Sequence, residues 1–270
     1  MINLLEHYRD HCNYKGQFFE NDHPDFYRGS PYVSELADDA FGYNLTSLGF
    51  RGNEFTDESE YPVVFMGCSN TFGLGLPEEA VWTYQLLEKI RNKTEKKIPH
   101  WNLAKNGSSI DAQFIFLEQF VHTLKPRAIF FLVPALFRRI VFFNQDVYAT
   151  NFAHNGELCQ DAKVFPKAVL DATALNVDES YALFEAHKYM TAINGLCKLY
   201  NTTLYYQFCN YLTDYEQTFF KIKSPMYDSF RKINAPWPRP VDRARDRMHH
   251  GPKSHEMFAN IVWDEIRDTF

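Results

Sequence analysis

From Tyr61 onward the chain alternates short apolar runs with longer stretches that place apolar residues at helical spacing. Pro62-Val-Val-Phe-Met-Gly67 reads as a buried strand, and Ile98–Ala104, Arg127–Val133 and Thr203–Cys209 read as three more. Pro77–Arg91, Ser109–Leu124, Tyr181–Leu199 and Pro252–Thr269 read as helices. The second of these carries Ile110, Phe114, Leu117 and Val121 on one face. Pro77 suits a first helical turn, with Glu78 and Glu79 near the positive end of the dipole. Strands that are apolar throughout and separated by helices predict an α/β fold: three αβα layers around a central parallel sheet.

Three stretches break that rhythm. Residues 1–60 are polar and aromatic, with turn signals such as Gly49-Phe-Arg-Gly52. Residues 134–178 suggest a short hairpin, with Phe142-Phe143 and His154-Asn155-Gly156 as its turn chemistry. Residues 210–245 are rich in Tyr, Phe and Pro. The expected organisation is a main domain over 61–270 with insertions at 134–178 and 210–245, and an extension over 1–60 packed on it. Long connections of this kind usually serve as lids or partner surfaces.

Composition narrows the function classes. At 45% hydrophobic and 23% charged residues the chain is not disordered as a whole. A 17% aromatic share supplies a generous core and a ring-lined cleft. A net charge of −6 argues against a nucleic-acid partner. No apolar run reaches the roughly 18–20 residues of a membrane span. Met1-Ile-Asn-Leu-Leu-Glu-His7 lacks a basic region followed by an apolar one. Cytoplasmic residence is therefore expected, with association into an oligomer or larger particle as a further expectation. The five cysteines, Cys12, Cys68, Cys159, Cys197 and Cys209, are odd in number and contain no Cys-x-x-Cys. Reduced, mostly buried thiols are expected rather than a disulfide framework or zinc ribbon.

Three segments carry candidate chemistry. In Gly67-Cys-Ser-Asn-Thr-Phe-Gly73 a serine follows a strand, at the sheet edge where open α/β folds bind ligands. Thr71 stands where the second glycine of Gly-x-Ser-x-Gly would be, and no Gly-Lys-Ser/Thr follows, so neither a nucleophile elbow nor a Walker loop is met. Alone, the segment reads more readily as an ordinary Gly- and Ser-rich β–α turn than as a catalytic one. In Trp101-Asn-Leu-Ala-Lys-Asn-Gly107 a glycine can bring a backbone N–H to the same rim. In Asp246-Arg-Met-His249-His-Gly-Pro-Lys-Ser-His255 a histidine can accept a serine proton, and an aspartate three residues earlier can orient its ring. A zinc site built on His249, His250 and His255 lacks a nearby carboxylate or thiolate. His7 and His11 lack the glutamate of a metalloprotease pair. No metal or other cofactor is expected.

Together these segments resemble the SGNH (GDSL-type) hydrolase superfamily. Gly67–Gly73 resembles its Gly-Asp-Ser-x-Thr-x-Gly block, Asn102–Gly107 its second block, and Asp246-x-x-His249 before a helix its last block. Asn44-Leu-Thr-Ser-Leu-Gly-Phe-Arg-Gly52 is similar to the lead-in of many bacterial and phage members. The resemblance covers roughly residues 44–133 and 180–268. It implies a flavodoxin-like sheet order, with Ser69 as nucleophile, His249 as base and Asp246 as its orienter; His250 is the competing base.

It also implies an oxyanion hole built on the N–H groups of Ser69 and Gly107. Two departures stand out: Cys68 replaces the family's Asp, and the third block, Gly-x-Asn-Asp, is absent. Pro134 or Ala135 stands where its asparagine would be. Arg138, and less so Asn144, are the candidates for the missing donor. The implied activity is hydrolysis of a small acyl ester, most plausibly O-acetyl on a carbohydrate. Two alternatives stay open: acyl transfer onto a glycan, and a catalytically weak glycan-binding module of a surface or phage-type particle.

Overall fold

The computed structural model describes residues 9–55, 62–144, 146–151, 165–173, 179–209, 231–234 and 237–270. Its strands are β1 (Lys15–Gly16), β2 (Tyr43–Asn44), β3 (Val63–Met66), β4 (His100–Asn102), β5 (Ala128–Val133), β6 (Arg138–Phe143), β7 (Asp146–Asn151), β8 (Thr203–Phe208) and β9 (Arg231–Lys232). Its α-helices are α1 (Pro24–Tyr27), α2 (Ser69–Phe72), α3 (Trp82–Thr94), α4 (Ile110–Leu124), α5 (Lys167–Thr173), α6 (Glu179–Leu199) and α7 (Pro252–Ile266).

The main sheet runs β4-β3-β5-β8-β9, every neighbouring pair parallel. Counted along the chain that order is second, first, third, fourth, fifth: the flavodoxin-like doubly wound arrangement. Its switch point lies between β3 and β5, where ligands of such sheets bind beyond the strands' carboxyl ends.

The two faces follow from the two-residue period of a strand. Val63, Phe65, Ala128, Phe130 and Leu132 meet α3 and α7 through Leu86, Leu87, Ile90, Phe258 and Val262. Val64, Met66, Ile129, Phe131 and Val133 meet α4 and α6 through Phe116, Leu117, Val121, Met190 and Ile193. The three-layer α/β architecture expected from the apolar runs is the one observed.

Three details differ from the sequence expectation. The helix expected over Pro77–Arg91 is a 3₁₀ turn at Glu78–Ala80 followed by α3, with Pro77 extended before it. The break has a tertiary cause: His255 Nδ1, from α7, accepts the Trp82 N–H at 3.1 Å and caps a new helix there. On α4, Phe116 and Gln113 are fully buried while Phe114 is half-buried, so the apolar stripe is shifted. The hairpin within 134–178 exists as β6 and β7, but Phe142 and Phe143 lie inside β6 and the chain reverses at Asn144. His154–Gly156 and residues 210–230 lie outside the described residues.

The N-terminal arm, residues 9–55, packs over the carboxyl end of the sheet. β1 and β2 pair antiparallel, and Arg51 bridges to Asn102 at the edge strand β4. Phe19, Tyr43 and Leu45 form a buried cluster with Phe72, Leu74 and Ala104, immediately beside the Ser69 turn and the Gly107 loop.

Candidate active site

β3 ends at Met66, and after Gly67 and Cys68 the chain enters α2 at Ser69, at the switch point. Gly67 makes the turn with φ +154°, and a Cβ there would lie 2.9 Å from the Leu132 carbonyl on β5 and collide with Thr71. Glycine is therefore required by close approach as much as by torsion. The side chain of Ser69 is nearly buried, at 4% exposure. The Thr71 and Phe72 N–H groups both donate to the Cys68 carbonyl at 2.9 Å, whereas the Ser69 N–H, at the first helical position, has no acceptor inside the helix.

The turn before α7 supplies the partners. Ala244 N–H donates to the His249 carbonyl at 3.1 Å, and Arg247 takes a left-handed conformation with φ +62° inside the loop so closed. Asp246, fully buried, accepts the N–H groups of Met248 and His249 on Oδ1, each at 3.0 Å. Its Oδ2 accepts a hydrogen bond from His249 Nδ1–H. His249 Nε2 lies 2.8 Å from Ser69 Oγ. Burial works to raise the pKa of Asp246. The hydrogen bond and charge of His249 and the two N–H groups outweigh it and hold the carboxyl below its ordinary range. A histidine that gives Nδ1–H to a carboxylate leaves Nε2 to accept the serine proton. The structure thus brings the three residues singled out in the sequence into one hydrogen-bonded chain.

The other histidines of the segment face elsewhere. His250 places Nε2 2.9 Å from the Pro238 carbonyl, and burial pushes its pKa down to about 4. His255 is buried and committed to Trp82. His11 meets Glu20 at 3.3 Å.

Gly107 sits exposed beside the site with φ +66° and open space where a Cβ would be. Two polar side chains hold its loop to the serine turn. Gln113 accepts the Gly67 N–H at 2.9 Å and donates to Ser108 Oγ at 2.8 Å; Asn102 donates to the Thr71 carbonyl at 2.8 Å. Gln113 escaped the sequence reading, although a polar residue in the stripe of Ile110 and Leu117 was the available signal.

β6 begins at Arg138, and strand alternation sends its two arginines to opposite sides. Arg139 is buried, donating to the carbonyls of Leu136, Arg138 and Ala182 at 2.6–2.9 Å, with Asp111 accepting the Ile140 N–H at 3.0 Å. Arg138 directs its charge at the buried thiol of Cys68, which precedes Ser69, and at the half-buried thiol of Cys209, which follows β8. A hydrogen bond to Cys209, with the Arg138 charge adding to it, holds the Cys68 thiol well below its ordinary pKa. Asn144, the other donor candidate, is exposed at the hairpin tip, six residues and about 20 Å of extended chain from Arg138. That position corrects its candidacy: Asn144→Ala and His250→Ala should each keep turnover within about twofold of wild type. A tenfold loss in either would show that its side chain serves the site.

One carboxylate from the arm also reaches this region. Glu20 bonds to Asn106, the neighbour of Gly107, and its charge acts on His249 and Lys105. Burial raises its pKa, opposed by the Asn106 hydrogen bond.

No family model matches the chain, and no curated protein does. Among solved structures, it is similar to one described as TesA, at 10% identity and a TM-score of 0.49, over 77% of this chain and 99% of that one. It is also similar to the psychrotrophic esterase EstA from Pseudoalteromonas sp., at 13% and 0.46, over 77% and 98%. A third is Axe2, an acetyl-xylooligosaccharide esterase from Geobacillus, at 13% and 0.47, over 77% and 94%. At these levels the likeness says nothing of chemistry, which rests on this chain's own residues.

Proposed function

We propose that the chain is a serine ester hydrolase of the SGNH type that removes a small acyl group, acetyl first of all, from a carbohydrate or related ester. The observation that carries it is the chain Ser69 Oγ, His249 Nε2, His249 Nδ1, Asp246 Oδ2 at the sheet's switch point. In the proposed reaction Ser69 Oγ attacks the ester carbonyl as His249 takes its proton, and Asp246 stabilises the imidazolium without accepting a proton itself. The N–H groups of Ser69 and Gly107 face the oxygen that becomes negative, with Arg138 as the third donor. His249 then protonates the leaving alcohol and accepts a proton from water; the hydroxide attacks the acyl carbonyl, and His249 returns the proton to Ser69 Oγ as the acid leaves.

The charge of Glu20 near His249 favours the imidazolium of the transition state and disfavours anionic esters. A neutral sugar ester suits it. Tyr14 and Phe18, half-buried, and Phe26, exposed, offer rings against which a pyranose can pack.

The test is acetate release from O-acetylated xylo-oligosaccharides, together with labelling of Ser69 by a fluorophosphonate. Labelling and release support the hydrolase. Labelling without release points to acyl transfer or another ester. No labelling and no release, with measurable binding of the oligosaccharide, replaces the hydrolase by a binding module.

A further inference from the structure

Asp246 orients His249, and the residue before it is held in an unusual way. Arg245 is buried, and the hydrogen bonds described for its guanidinium all go to the N-terminal arm. Nε donates to both oxygens of Asp22 at 3.2 Å, and Nη1 to the carbonyls of Asp38 and Phe41 at 2.9 Å. Nη2 donates to Asp22 and, at 2.6 Å, to the Gln17 carbonyl. The Phe41 ring lies 3.8 Å from the guanidinium carbon.

Both ends of this contact return to the loop leaving the nucleophile helix. Asp22 accepts the Tyr43 hydroxyl at 2.6 Å, and that hydroxyl accepts the Gly75 N–H at 2.7 Å. The Gly75 carbonyl accepts the Arg245 N–H at 2.9 Å. A closed ring therefore links the loop after Ser69 to the turn bearing Asp246 and His249 through two residues of the arm, Tyr43 and Asp22.

We propose that the Asp22–Arg245 pair is a positioning device that fixes His249 against Ser69, which makes the N-terminal arm a working part of the active site. The proposal rests on the hydrolase reading. A buried ion pair is seldom more stabilising than a well-packed apolar pair, so stability alone is a weak reason for this one. Its geometry is specific, because a planar fork meets five oxygens that a lysine could not satisfy together.

Charge and geometry separate in the test. Around the pair stand Tyr43, Tyr27, Arg51 and Asp246; around His249 stand Asp246, Glu20, Cys68, His250 and His255. Asp22→Asn leaves the guanidinium uncompensated beside Asp246, which disfavours an imidazolium. Arg245→Lys keeps the charge and loses the fork. Asp22→Asn/Arg245→Met removes both charges.

The readouts are kcat and KM on 4-nitrophenyl acetate across pH, and the count of sites titrated by a fluorophosphonate. Per titrated site, kcat should fall roughly ten- to a hundredfold in all three variants with KM little changed. The acidic limb should move to lower pH only in Asp22→Asn. Wild-type kcat per titrated site, or a loss wholly explained by fewer titrated sites, makes the pair structural and overturns the proposal. A wild-type protein that the reagent does not label overturns the hydrolase reading, and the positioning role falls with it.

Discussion

Replacing Ser69 with alanine should lower turnover of an activated acetyl ester by at least about a thousandfold and leave the melting temperature unchanged. The hydroxyl bonds to His249 alone among the described side chains, so its removal orphans little else. His249→Ala should be comparably damaging, since among the described side chains His249 alone is bonded to Ser69 Oγ. Asp246→Asn is the sharper test of the third residue. An amide there presents a donor to Nδ1, favours the tautomer protonated at Nε2, and so removes the base; about a thousand- to ten-thousandfold is expected. The rate should fall on acidification, because a protonated imidazole cannot accept the serine proton.

The sign for Asp246 is the reverse of a sensor's. Its carboxyl is held below the usual range, so it stays ionised throughout that fall. The stability it contributes is present above the ordinary carboxylate pKa and is lost only as pH drops through its depressed value. Steady-state rates on 4-nitrophenyl acetate from pH 5 to 9 decide the matter. Turnover in Ser69→Ala within tenfold of wild type would remove Ser69 from the mechanism.

How much of this was legible beforehand depends on the range of the interaction. β5 is apolar at every position because both its faces are covered, and its sequence says so directly. The Asp-x-x-His turn is local, and its internal bonds span three residues, so spacing alone places Asp246 and His249 together. Ser69 lies 180 residues from His249 in sequence, yet the block order around the sheet brings them to one edge.

The arm was opaque for a physical reason. Arg51 donates to backbone carbonyls, as do half of the hydrogen bonds of Arg245, and since every residue possesses a carbonyl no residue type marks those partners. Asp22 lies 223 residues from Arg245, in a stretch without periodicity. The break of the helix after Ala80 was hidden likewise, because the group that caps Trp82 comes from the last helix. Arg138 was singled out for its nearness to the end of β5, whereas the reach of its charge to two thiols could not be read from a sequence in which Cys68 and Cys209 look unrelated.

Arg51→Ala should be the most destabilising single change in the arm, at about 3–5 kcal/mol. Arg51 is 5% exposed, and its guanidinium closes the C-terminal end of α2. Nη1 donates to the carbonyls of Phe72, at 3.1 Å, and Gly73, while Nη2 donates to that of Leu76 at 2.6 Å. The cation also lies 4.8 Å from the Tyr43 ring centre and 5.7 Å from that of Phe72. Alanine leaves three buried carbonyls without these donors, each costing about 1–3 kcal/mol.

Against that stands the relief of no longer burying a charge, a cost large enough to lower the arginine's own pKa. The net of the two is the range given. It should lower the melting temperature by roughly 10 °C, given about 2–4 °C per kcal/mol in domains of this size. Urea unfolding should show a lower midpoint at unchanged slope, which separates lost stability from an altered unfolded state. Arg51→Lys should recover only part of the loss, because an ammonium cannot span Phe72, Gly73 and Leu76 as the planar fork does. Ser69 stands one turn before these carbonyls, so labelling of the serine should slow in step with the loosened helix end. An Arg51→Ala protein that melts within two degrees of wild type would show that the helix end keeps its partners without the arm.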